Sequence, residues 1–161
     1  MKYLLILSCL LFTSVGWSKD INSDELIKRD GLYYEKFKDV PFTGDVVGKE
    51  QGKISKGKRE GEYLTYYENG QLKYKSNYKE GVLEGEWLYY HDNGQLRFKE
   101  NYKDGKLEGE WLYYHDNGQL RFKRNWKDGK KEGEWLYYHE TGQLETTEIY
   151  KDGELIKTIK P

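Results

Sequence analysis

Residues 85–108 read GEWLYYHDNGQLRFKENYKDGKLE and residues 109–132 read GEWLYYHDNGQLRFKRNWKDGKKE. Only three of 24 positions differ, Glu100 against Arg124 and Tyr102 against Trp126 among them. Residues 61–84 and 133–156 keep the same frame. A fixed period of this size means one supersecondary unit used again and again, each copy touching only its neighbours.

The unit follows from its turn dipeptides. Asn93-Gly94 and Asp104-Gly105 lie between runs rich in Tyr, Trp and Phe, as in hairpins with two-residue loops. Two such loops leave ten residues for each of two strands per unit. Around Asn93-Gly94, His91 should face Leu96, Tyr89 should face Phe98 and Trp87 should face Glu100. Around Asp104-Gly105, Tyr102 should face Leu107, Phe98 should face Trp111 and Leu96 should face Tyr113. Both registers place Trp87, Tyr89, Leu96, Phe98, Tyr102, Trp111 and Tyr113 on one side. A 24-residue period is even and a strand alternates with period two, so every copy repeats that side. The other side should carry Glu86, Leu88, Tyr90, Arg97, Lys99 and Asn101, with Lys99 opposite Glu110 and Arg97 over Tyr90. The predicted fold is all-β: an elongated antiparallel meander of repeated hairpins, essentially one layer, twisted or curled. Full pairing would give strands of roughly 33 Å and about 9.6 Å of sheet per unit. Gly85, Gly109 and Gly133 mark places for bulges or bends.

Composition agrees. The chain has no Ala and has 16 Tyr, a bias toward strand over helix. Lys plus Arg is 27 against 28 Asp plus Glu, so there is no basic surface for nucleic acid and no polybasic segment for anionic lipid. Residues 1–18 read as a secretory signal: Lys2, an apolar run from Tyr3 to Thr13, small residues at Gly16 and Ser18, cleavage after Ser18. The run is too short to span a bilayer, and no transmembrane segment is expected once it is removed. The expected location is periplasmic or extracellular. Ile6-Leu7-Ser8-Cys9 loosely resembles a lipoprotein processing site, but its apolar run is short and more apolar residues follow, which argues against a lipid anchor. Cys9 leaves with the signal, so the remaining chain has no disulfide and no thiolate metal site. Residues 19–30 read as a linker or short helix, 31–60 as divergent N-terminal strands, 61–156 as the four repeats and 157–161 as a tail. Within these, residues 31–37 and 42–48 are strand candidates, and a closing strand is expected around 154–159.

The pattern Gly105-Lys106-x-x-Gly109-x-Trp111, then Asn117-Gly118 and Phe122, resembles the MORN repeat in its bacterial variant form. Arg29-Asp30-Gly31-Leu32-Tyr33-Tyr34 and Pro41-Phe42-Thr43-Gly44 resemble the start of YwqK-family antitoxins. Trp111 stands where the usual repeat has a second Gly, and the period is slightly longer than usual. The resemblance implies an interaction scaffold without catalysis, and the antitoxin likeness implies binding and neutralising a toxin, or an immunity-like role.

Other chemistry is thin. His91, His115 and His139 occupy one repeat position, about 9.6 Å apart, too far for joint ligation of one ion. The Glu84-Gly85-Glu86 motif and its copies read as a solvated ion-pair row facing lysines, not as a singular acid–base pair. Gly44, Gly48 and Gly52 lack the Lys-Ser/Thr and helix of a phosphate loop. No enzyme, cofactor or metal is expected. The aromatic ladder is the candidate partner-binding surface: Trp87, Tyr89, Phe98, Trp111, Tyr113, Phe122, Trp135 and Tyr137. No long amphipathic helix or separate sheet is foreseen to cover it, and large uncovered apolar faces mark interaction sites. The expected occupant is a protein, a peptide or a second copy; the alternative is carbohydrate or cell wall.

Overall fold

In a computed structural model the structure describes residues 19–161; residues 1–18, expected to be a secretory signal, and Cys9 among them lie outside the described residues. The molecule is an open antiparallel meander, one strand after another across a single sheet. Each repeat supplies a longer hairpin, such as Gly85–Tyr90 with Leu96–Lys103, and a two-residue strand such as Lys106–Leu107.

The Asp104-Gly105 turn forms as expected. Both central residues have positive φ, 49° and 73°, the type I′ geometry that matches strand twist, and Tyr102 pairs with Leu107. The other loop differs. His91 N–H donates to Gln95 C=O at 2.8 Å and Gly94 N–H donates to His91 C=O at 2.9 Å. Asp92, Asn93 and Gly94 therefore make a three-residue loop, with φ of +83° at Gly94. Tyr89 opposite Phe98 and Trp87 opposite Glu100 hold, but Leu96 pairs with Tyr90, not His91.

The register between neighbouring hairpins also departs from expectation. Phe98 pairs with Tyr113 and Lys99 with Leu112, two residues beyond the Phe98–Trp111 pairing. The slip occurs at Glu108-Gly109, where Gly109 sits at φ +74° and Glu108 N–H donates to Asn101 C=O at 2.9 Å. An added Cβ at Gly109 would meet nothing within 4 Å, so the requirement is the backbone conformation, not space. A slip of two preserves side-chain parity, and the ring ladder survives. The strands are six and eight residues long, shorter than ten, because loop and bulge consume the rest.

A second layer exists at one end. After a short parallel strand Asp20–Asn22 and a 3-10 turn Ser23–Glu25, the hairpin Leu26–Arg29 with Leu32–Glu35 forms its own two-stranded sheet. Leu26 and Tyr33 pack against a buried cluster of Ile21, Phe42, Val46, Ile54 and Tyr63. Pro41 makes an isolated bridge with Tyr34, an edge position that tolerates its missing N–H. At the other end Glu154–Ile159 closes the meander. It slips by one residue rather than two against Leu144–Lys151.

Candidate binding surface

The rings expected on one face meet there. Tyr89 lies 4.9 Å from Phe98, Phe98 6.3 Å from Tyr113, Tyr113 5.0 Å from Phe122 and Phe122 6.4 Å from Tyr137, centroid to centroid. A second row runs beside it: Trp87 against Tyr102, Trp111 against Trp126, Trp126 against Trp135 and Trp135 against Tyr150, at 4.7–6.3 Å. Such ring pairs each contribute about 0.5–1.5 kcal/mol beyond their area. They leave most rings half-buried, while Trp135 is only 3% exposed.

Cations roof this face, which strand alternation alone does not show. The bulge next to each Asn-Gly or equivalent loop leaves one residue unpaired, Lys73, Arg97 and Arg121 in the first three repeats and Glu145 in the last. Bulges re-aim side chains. Arg97 accordingly lies over Tyr89 and Tyr113, at 5.4 and 5.8 Å, with Nε donating to Tyr113 Oη at 3.0 Å; it does not cover Tyr90. Lys73 sits over Tyr67 and Tyr74, and Arg121 over Tyr113.

A polar position runs down the middle, each residue opposite a ring: Ser76 by Tyr63, Glu100 by Trp87, Arg124 by Trp111 and Glu148 by Trp135. Tyr102 Oη donates to Glu100 Oε2 at 2.6 Å. Burial pushes the Glu100 carboxyl above the usual range, and that donated bond pulls it partly back. Glu148 Oε2 accepts from Tyr137 at 2.9 Å and Tyr150 at 3.0 Å. Arg124 is stacked over Phe122 at 3.8 Å and over Trp135 at 4.8 Å.

The Glu-Gly-Glu motif splits into two tasks. Its second Glu pairs with lysine inside one hairpin: Glu62–Lys75, Glu86–Lys99 and Glu110–Lys123. Lys99 therefore meets Glu86, not Glu110, a consequence of the two-residue slip. Its first Glu reaches into the next unit. Glu84, Glu108 and Glu132 accept the backbone N–H of Asp104, Asp128 and Asp152 at 2.7–2.9 Å. The sequence signal for this staple is the in-frame recurrence of that Glu, which ion-pair reasoning alone leaves unexplained. The histidines also reach the next unit. His115 Nε2 lies 3.0 Å from Tyr138 C=O, and His91 Nε2 lies 3.6 Å from Asp116.

What results is a repeat scaffold: a single sheet with a ring-lined, cation-roofed face. The signature of the MORN repeat variant matches residues 59–80, 83–104, 107–128 and 131–152, more than half of the chain. The chain belongs to that family, whose repeats generally serve as non-catalytic scaffolds. No curated protein matches the chain. No helix among the described residues is long and apolar enough to cross a membrane.

Proposed function

We propose that this protein is a secreted scaffold that binds a protein or peptide partner along the ring face, in an antitoxin- or immunity-like role. The carrying observation is that, among the described residues, the hairpin of residues 26–35 packs over the face at the first repeat and no further layer lies beyond it. Tyr63 there is 1% exposed, whereas Trp87, Tyr89, Phe98, Trp111 and Tyr113 continue without a second layer. The signal-like residues 1–18 support export, and the N-terminal resemblance supports the antitoxin-like role. Carbohydrate recognition needs ring faces open to a sugar. Here the rings turn toward each other and toward guanidinium groups, which favours a polypeptide occupant.

The test is affinity capture from the native envelope fraction with the wild type and with Trp111→Ala plus Tyr113→Ala. Both are half-buried, so β-sheet circular dichroism should persist while capture of a specific polypeptide weakens. A folded double variant that captures the same partner equally well removes this reading. Retention on purified peptidoglycan would favour the cell-wall alternative instead.

A further inference from the structure

The two nearly identical repeats differ at Glu100/Arg124, Tyr102/Trp126 and Leu107/Lys131. These positions are scattered in sequence, yet in the second of the two repeats all three substituents converge on one ring. Arg124 lies 4.8 Å from the Trp135 centroid, Lys131 Nζ lies 4.4 Å from it and the Trp126 ring lies 5.3 Å from it. Trp135 is buried beneath them. Among the described residues no carboxylate forms an ion pair with Arg124 or Lys131: Lys131 Nζ donates to Tyr150 Oη at 3.4 Å, the Tyr137 and Tyr150 hydroxyls stand between the two cations and the Glu148 carboxylate, and Arg124 Nε is buried without a hydrogen-bond partner. Two cations on one ring repel each other, and an anion placed between them would be attracted by both.

The molecule contains a filled version of this arrangement. Arg59 occupies the repeat position of Lys131 and lies over Tyr63 at 3.9 Å and Tyr78 at 5.4 Å, as Lys131 lies over Trp135 and Tyr150. Arg59 is closed from above by Tyr33 of the N-terminal hairpin, at 5.2 Å, and flanked by the Glu50 carboxylate of the adjoining strand of the sheet, at 2.8 Å. An aromatic ring plus a carboxylate is thus the chemistry that this fold itself sets against such a cation.

We infer that Arg124, Trp126 and Lys131 form, over Trp135, a subsite for an acidic polypeptide segment bearing an aromatic side chain. The inference rests on the ring face being the binding surface. Within that surface, these three residues set which partner is accepted: the carboxylate bridges the two cations and the aromatic side chain stacks on them, as Tyr33 and Glu50 do on Arg59.

The probe is a random glutamate–tyrosine copolymer, with polyglutamate and a lysine–tyrosine copolymer as comparisons, measured by biolayer interferometry. The wild type should bind the glutamate–tyrosine copolymer best. Arg124→Glu, Trp126→Tyr and Lys131→Leu together turn residues 109–132 into the sequence of residues 85–108, which already folds in this chain, and should weaken binding on the order of tenfold or more. Arg124→Gln plus Lys131→Gln should do the same, whereas Lys106→Gln plus Lys130→Gln, an equal charge change at exposed positions of the two-residue strands, should not. Equal binding to polyglutamate, equal loss in the Lys106/Lys130 variant, or preference for phosphatidylserine vesicles over the copolymer would each overturn the subsite. If Trp111→Ala plus Tyr113→Ala abolishes binding but the Arg124/Lys131 variants do not, the subsite fails and the ring face stands. If none of these variants changes it, both fail.

Discussion

Glu100 shows how a single residue carries a cost for its place on the ring face. It is 6% exposed, and its carboxylate accepts a hydrogen bond from Tyr102. Burial raises its pKa above the ordinary carboxylate value of 4.5, so the folded chain holds this proton more tightly than the unfolded one. Stability from this group is therefore lost as pH rises from 4.5 through the raised value, and regained on acidification. Glu100→Gln keeps the acceptor and removes the charge. Its thermal unfolding at pH 7 should shift up by about 2–4 °C, with the difference from wild type vanishing near pH 4. A variant that unfolds lower at pH 7 would contradict the desolvation account.

At the scale of the element, the hairpins are joined less by ion pairs than by carboxylate-to-backbone staples. Glu108 fixes the Asp128-Gly129 turn of the next unit, with Asp128 N–H donating at 2.7 Å, while the Glu110–Lys123 pair is solvent-exposed. Glu108→Ala should cost about 1 kcal/mol in urea unfolding, and Glu108→Gln should recover much of it because the amide oxygen still accepts. Glu110→Ala should cost about 0–1 kcal/mol and less in high salt. Gly109→Ala tests the inter-hairpin slip. Holding φ at +74° should cost about 1–2 kcal/mol from conformation alone. A negligible cost for Gly109→Ala would mean the slip does not depend on that conformation.

For the molecule as a whole, contacts among the repeats run chiefly between neighbouring strands of the sheet, as in other quasi-one-dimensional proteins. Deleting residues 109–132 joins Glu108 to Gly133, the same junction that Glu132 makes with Gly133. The shortened protein should remain a β protein by circular dichroism, with a lower unfolding midpoint and no collapse of cooperativity. The buried cluster around Ile54 and Tyr63 anchors one end and is absent from the deleted part. Loss of all structure on this deletion would contradict neighbour-only coupling.

Period and parity were legible in the chain because both are local. A 24-residue repeat with Asp-Gly turns and alternating rings places Trp87, Tyr89, Phe98 and Trp111 on one side whatever the exact register, since slips of two leave the side unchanged. Three features needed the tertiary structure. The bulge that lifts Arg97 onto Tyr89 and Tyr113 depends on a three-residue loop that Asn93-Gly94 does not specify alone. The N-terminal hairpin over Tyr63 and Arg59 is a long-range packing choice between segments with no shared pattern. The meeting of Arg124, Trp126 and Lys131 on Trp135 joins positions up to eleven residues apart across two strand pairings, and only the folded sheet brings those side chains to one ring.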